Sequence, residues 1–434
     1  MWIPRVAGLM VFACSSLVIA DEPKDEKPAT KTEKTDKPKV DPKPLPPVPL
    51  TAENKTGEFV AQGRVLWRIA ACGSDDAAPG RFENNKSIER HCKEMKELYG
   101  RHKKRWADPA KQFLGELRPA SAPKTVIYPF GGGDLSSALV AFPDATEITT
   151  ISLEAAGDAR QIDTIRMGTL AGDLDQVSSF IRNLYASAYS ATMNLQKASR
   201  DNSFPGTLMM AFAGLALHDM EPVSMRYFDV LPDGSIQYLT GTELESRAAE
   251  YAATKRGKTP PKKITHYWYA HDSAYGNVEV QYRPRKSIDD KNGKAATRVY
   301  RHIVQNLDDE HLRGDNRVLQ HLKKKGKVSV MTKAASFLLW YDDFTEIRNY
   351  LLGSIAWMVS DASGIPPSYA GPAGYEQITY GEFTAPLFTI DPKNKRKEFI
   401  ALWKTQPKRP LSFRFGYPDA NKRPHLMVTR PKSP

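Results

Sequence analysis

Residues 126–154 read VIYPFGGGDLSSALVAFPDATEITTISLE, and their order decides the fold class. A short apolar run, Thr125–Tyr128, reads as a buried strand. Gly131, Gly132 and Gly133 then break it, Leu135–Phe142 has helical character, and a second strand over Glu147–Leu153 ends on Glu154. Strand, glycine turn, helix, strand is the order of a Rossmann-type βαβ unit. Glycines there let a ligand approach the backbone, and an acid past the second strand can hold a ribose. Gly131, Gly133 and Ser136 stand at the fingerprint spacing. Three features argue against a nucleotide. Pro129 interrupts the strand, Asp134 places a carboxylate where a pyrophosphate would rest, and an exported protein rarely meets free cofactor. The plain alternative is a tight turn with Asp134 as N-cap.

Working outward, the pattern predicts helices over Leu174–Ala188, Thr207–Leu217 and Phe344–Val359. It predicts strands at Val223–Val230, Ile236–Thr240, Ile264–His271, Val278–Tyr282, Arg298–Gln305, Val328–Met331, Gln377–Tyr380 and Leu411–Phe415. The expected body is therefore α/β: a Rossmann-like mixed sheet with helices on its faces and additional antiparallel β elements.

Arg5 near the start of the chain precedes an apolar run, Val6–Ile19, too short to span a bilayer as a helix. Val18-Ile19-Ala20 suits a signal peptidase, so residues 1–20 are expected to be a signal peptide cleaved before Asp21. Lipidation at Cys14 is the alternative, and no transmembrane helix is expected in the mature chain. Residues 21–50 carry seven lysines, seven acids and eight prolines, a neutral spacer with nothing to form a core. The globular body is expected over 51–434: an N-terminal segment 51–123, a sheet core 124–390 and a basic C-terminal segment 391–434. Three cysteines occur. Cys14 leaves with the leader, so Cys72 and Cys92 are expected to pair in an oxidising compartment, periplasmic or extracellular.

The formal charge is +12 and the spacer is neutral, so the excess lies in the body. Residues 391–434 hold twelve Lys/Arg against Asp391, Glu398 and Asp419, and residues 81–111 hold ten against five acids. This balance favours anionic cell-envelope polymers or surfaces as partners, with nucleic acid disfavoured by export. The bland reading is a solvated basic face.

Other constellations carry less. His266 and His271 are five apart on a strand and face opposite sides. His302, His311 and His321 with Asp308, Asp309 and Glu310 match no metal-ligand spacing, so no metal is expected. Lys333 follows the strand Val328–Met331 and suits a ligand, or the surface beside a turn. Ser360-Asp361-Ala-Ser363-Gly364-Ile365-Pro366 reads as a helix stop whose Asp361 could reach a cleft. No G-x-S-x-G elbow, H-E-x-x-H or P-loop appears.

YPFGGGD (128–134) with LEAAGD (153–158), and KAAS (333–336) with SDASGIP (360–366), together resemble a pattern in exported bacterial proteins of unassigned function. YGEFTAPLF and PLSFRFGY resemble it too, so the similarity spans most of 125–417. The resemblance implies a common fold and marks Asp134, Glu154, Lys333 and Asp361 as positions within shared motifs. It implies no substrate and no cofactor. Two function classes stand: an exported envelope-associated protein binding anionic surfaces or polymers, or an enzyme of unknown reaction with a carboxylate-lined cleft at the glycine loop. Oligomeric state is not legible.

Overall fold

Short apolar runs bounded by glycine and polar turns are what a parallel sheet buried on both faces requires. They form the centre of this protein in a computed structural model that describes residues 49–73, 80–187, 204–253, 274–285 and 296–432. The strands are β1 (Thr125–Pro129), β2 (Glu147–Ser152), β3 (Met220–Val230), β4 (Ile236–Tyr238), β5 (Val278–Pro284), β6 (Arg298–Val304), β7 (Val328–Thr332), β8 (Ile355–Ser360), β9 (Tyr375–Gly381) and β10 (His425–Pro431). They join one sheet in the order β4-β3-β5-β6-β2-β1-β7-β8-β10-β9. The middle five, β6-β2-β1-β7-β8, are mutually parallel. Antiparallel strands extend both edges.

Counted along the chain, the parallel strands lie in the order 3-2-1-4-5, the doubly wound arrangement. The chain winds outward from β1 through β2 to β6, then returns to β1's other side for β7 and β8. The order therefore reverses between β1 and β7. Alternation within each strand assigns its side chains to one of two cores. Val126, Ile148, Met331 and Trp357 pack under the helices Val60–Ile69, Lys86–His102, Leu135–Ala141, Leu170–Ser187 and Gly206–Leu217. Ile127, Ile151, Val330 and Met358 face the helices Arg317–Lys323 and Thr345–Ser354.

The disulfide Cys72–Cys92 is formed, with Cα atoms 5.3 Å apart, and ties the end of Val60–Ile69 to Lys86–His102. Among the described residues no helix is long and apolar enough to cross a membrane. The expected strand at Ile264–His271 lies outside the described residues, as do residues 1–48.

Three expectations need correction. The helix predicted over Phe344–Val359 ends at Ser354, and its second half is the strand β8. Leu411–Phe415 is no strand, although Leu411, Phe413 and Phe415 are buried. The sheet does not stop at 390, because the last part of the basic segment 391–434 is β10, hydrogen-bonded between β8 and β9. Leu426 and Met427 there are fully buried, so deleting the segment would remove an interior strand.

Candidate functional site

In a doubly wound sheet, ligands sit outside the carboxyl ends of the strands where the order reverses. Here that place is bounded by the loops after β1, β2 and β7, which carry Gly131–Glu154 and Lys333.

The loop after β1 is tight. Phe130 and Gly132 have positive φ, at 62° and 54°. The Gly131 amide returns to the Ile151 carbonyl of β2 at 3.1 Å. Asp134 caps the helix Leu135–Ala141, its Oδ1 accepting from the Ser137 amide at 3.1 Å. The glycines are needed for packing. A Cβ at Gly131 would lie 2.5 Å from the Tyr128 ring, and one at Gly133 would lie 2.4 Å from the Thr207 carbonyl. One at Gly214 would meet the Ser136 amide at 2.7 Å. The helix Gly206–Leu217 therefore rests directly on the glycine loop, where a pyrophosphate would need to sit. Pro129 is accommodated because it closes β1, beyond the last residues paired with β7.

The loop after β7 is held in an unusual backbone. Ala334, Ser336 and Phe337 all have positive φ, at 54°, 49° and 57°. Non-glycine residues persist there only when their surroundings over-determine them. Asp361 and Ser363 supply that hold. The Ala334 amide donates to Asp361 Oδ2 at 3.0 Å, and the Ala335 amide donates to Ser363 Oγ at 2.9 Å. The Tyr417 amide adds a donor to the same Asp361 oxygen at 2.8 Å. Asp361 is fully buried and spends its oxygens on backbone amides and the Ser363 hydroxyl, fastening three loops together rather than facing a cleft.

So fixed, Lys333 points across the switch point. Its Nζ lies 2.7 Å from Asp134 Oδ2 and 2.6 Å from Ser137 Oγ. Tyr128 donates to the same Asp134 oxygen at 3.2 Å. Lys333 and Asp134 are both 5% exposed. The ammonium also stands 5.5 Å from the Trp106 ring centroid. His102 stacks on Tyr185 at 3.9 Å and on Trp106 at 5.2 Å. Burial, and then the Lys333 charge, lowers the His102 pKa to about 4, so its ring is neutral at pH 7. The ion pair is thus enclosed by aromatic rings and neutral groups.

A polar row runs away from this pair across the sheet. Tyr128 of β1, Thr150 of β2 and His302 of β6 are register neighbours. Thr150 Oγ1 lies 3.0 Å from Tyr300 Oη and 3.2 Å from His302 Nδ1. His302 Nε2 lies 2.7 Å from the Glu154 carbonyl. A carbonyl only accepts, so His302 carries its proton on Nε2 and its Nδ1 accepts from Thr150. Thr150 in turn accepts from Tyr300. Burial holds His302 below its ordinary pKa, in keeping with a neutral ring. The relay fixes the backbone of Glu154, whose amide is also bound to Ser152 Oγ at 3.3 Å. Glu154 itself is 5% exposed, and its Oε1 is buried with no hydrogen-bond partner among the described residues.

The sequence-predicted residues therefore separate. Gly131, Gly132, Gly133, Asp134 and Lys333 meet at the switch point. The Glu154 backbone is tied by His302 to the polar row that passes Tyr128 on the neighbouring strand, and Asp361 holds the loop of Lys333 from behind. Tyr128, Ser137, His102, Trp106 and the Thr150–Tyr300–His302 chain were not anticipated as site residues. A signal was available: Tyr128, Thr150, Tyr300 and His302 are polar at positions where a parallel sheet should be apolar on both faces. His311 and His321, weighed with His302 as a metal set, each have a separate partner. His311 Nδ1 is 2.6 Å from Asp308 Oδ1, and His321 Nδ1 is 2.9 Å from the Gly234 carbonyl. His266 and His271 lie outside the described residues. No family model, no curated protein and no solved structure matches this chain.

Proposed function

We propose that this chain is an exported protein that binds a small, neutral polyhydroxyl compound at the carboxyl edge of its sheet. The observation that carries this reading is the buried, unpartnered Oε1 of Glu154 beside a switch point whose other charges are mutually satisfied. A buried carboxylate oxygen without a donor is costly, and a ligand hydroxyl supplies the missing hydrogen bond. Asp134 and Lys333 cancel one another, so the group left to select a ligand is an acceptor, which favours hydroxyl donors and disfavours anions. The helix Gly206–Leu217 on the glycine loop also argues against a nucleotide. Exposed Leu153, adjacent to Glu154, offers an apolar surface for the CH face of a sugar ring. As an enzyme, the same carboxylate would act as general base on a ligand hydroxyl, while the Asp134–Lys333 pair would orient the loop after β1.

Export accounts for the Cys72–Cys92 disulfide, because such bonds persist in oxidising compartments. Periplasmic or extracellular residence, with cleavage before Asp21, belongs to this proposal, as does kinship with the exported family that the motifs resemble. A thermal-shift screen of the oxidised protein against monosaccharides, polyols, amines and nucleotides tests the ligand class. Stabilisation by a saccharide or polyol is expected. Stabilisation by nucleotides or amines alone would overturn it.

A further inference from the structure

An open sheet ends on strands whose outward amides and carbonyls have no neighbouring strand, and such an edge adds a strand from another chain unless something closes it. Here β9 is an edge strand of seven residues, paired on its inner side with β10. Its composition favours further pairing. After Glu376, which is engaged with Arg430, the stretch Gln377-Ile378-Thr379-Tyr380-Gly381 carries no charge and is rich in β-branched and aromatic residues.

The chain that follows the helix Lys395–Thr405 runs along this stretch. Gln406 leaves the helix in extended backbone, and its side-chain amide stands in for a peptide group of a neighbouring strand. Its Oε1 accepts from the Thr379 amide at 3.0 Å, and its Nε2 donates to the Gln377 carbonyl. Arg409 continues the ladder. Its carbonyl accepts from the Gly381 amide at 2.7 Å, and its Nη1 donates to the Thr379 carbonyl at 3.3 Å. The same Nη1 lies 3.1 Å from Gln406 Oε1, which joins the two side chains. Four consecutive outward groups of β9, from the Gln377 carbonyl to the Gly381 amide, are thereby satisfied, and they span the uncharged stretch.

The covering segment is unfit to serve as the next edge. Pro407 and Pro410 have no N–H to offer, and Lys408 between them is exposed. It is held at both ends: Trp403 before it donates to the Tyr380 carbonyl at 3.2 Å, and Leu411 and Phe413 after it are buried. The opposite edge of the sheet is closed by other means. There β4 has only three residues, and the outward Met225 carbonyl of β3 accepts from the Phe59 amide at 2.9 Å.

We infer that Gln406 and Arg409 guard the β9 edge against a second copy of this chain. With the guard removed, the partner that fits is the β9 of another copy. Antiparallel pairing of one stretch with itself is two-fold and self-complementary, so it closes as a dimer. The inference is independent of the ligand proposed for Glu154.

The test uses the disulfide-bonded full chain, with thermal melts to show that each variant is folded. In the native protein, amide exchange should find Thr379 and Gly381 protected although β9 is an edge. In Gln406→Ala/Arg409→Ala the Thr379 amide should exchange about tenfold or more faster at low concentration. Sedimentation velocity should then show the mass of this variant rising with concentration to about twice that of the native protein. Adding Ile378→Lys brings like charges together across a β9–β9 pair and should abolish the rise. Should the double variant fail to fold, Gln406→Glu reads the same edge, since it keeps the acceptor for Thr379 but loses the donor to Gln377. An unchanged mass in a folded edge variant would overturn the inference. So would a rise that survives Ile378→Lys, or free exchange of the Thr379 amide in the native protein.

Discussion

Lys333 Nζ and Asp134 Oδ2 lie 2.7 Å apart across the gap between β7 and β1, where the strand order of the parallel sheet reverses. Replacing such a buried pair by packed apolar groups is often neutral or stabilising, so its presence is weak evidence for a purely structural role. Removing one partner is another matter, since the remaining charge is left without compensation. Lys333→Met should cost about 3–5 kcal/mol in urea unfolding, and Asp134→Asn should also be costly despite asparagine's competence as an N-cap. The double variant should recover a large part of that loss. Additive losses in the double-mutant cycle would show that the two groups are not coupled.

Gly133→Ala tests the packing account of the glycine loop. Its new Cβ would meet backbone, the Thr207 carbonyl, and not a flexible side-chain end. Displacement of the helix Gly206–Leu217 should destabilise the fold by roughly 1–3 kcal/mol. A neutral result in equilibrium unfolding would free the loop from that helix and return it to the role of an open ligand turn.

Much of this arrangement was legible in the sequence, and what was not has physical causes. The unit β1–helix–β2 announced itself because an apolar run, a triple glycine and an N-capping Asp134 agree at each step. The segment Phe344–Val359 misled because a strand buried on both faces is a continuous apolar run, which periodicity alone cannot distinguish from a helix. Ile355 and Val359, β-branched after Gly353-Ser354, mark the change. Leu411, Phe413 and Phe415 alternate like a strand and are buried like one, but Phe413 packs on Phe113 instead of joining a ladder. The partners of the glycine loop could not be read at all: Thr207 arrives from a distant helix, and Lys333 reaches Ser137 across 196 residues.

Acid should weaken the protein well before its carboxylates are exhausted. Burial, with Lys333 adding to it, depresses His102 to about 4, and burial depresses His218 and His321 to about 4. His91, His302 and His425 are lowered as well, chiefly by burial. At His102, His218 and His321 the unfolded chain therefore takes up protons near pH 6.5 that the folded protein refuses until near pH 4. Stability from these neutral rings is fully present above pH 6.5 and falls as pH drops through that window, by up to about 1.4 kcal/mol per pH unit for each histidine. Urea midpoints measured across the window should decline steadily. Midpoints that hold constant would mean that the rings are already charged in the folded protein.

Reduction tests a different restraint. The Cys72–Cys92 bond closes a loop of 20 residues, for which the chain-entropy model gives about 3 kcal/mol. Cys72→Ala/Cys92→Ala should unfold at correspondingly lower denaturant, with Lys86–His102 loosened from Val60–Ile69. An unchanged midpoint would show the two helices held by packing alone.

Glu154 is where the functional account stands or falls. The measurement is calorimetric titration of the stabilising saccharide or polyol into the native protein, Glu154→Gln and Asp361→Asn, each shown to be folded. Glutamine keeps the shape of the side chain but replaces one acceptor oxygen by a donor, and Asp361 fastens loops without facing the ligand. The account predicts binding to the native protein and to Asp361→Asn, and loss of at least about tenfold in affinity for Glu154→Gln, since one hydrogen bond to a charged group contributes about 1.5–3 kcal/mol. Equal affinity for the native protein and Glu154→Gln would contradict it.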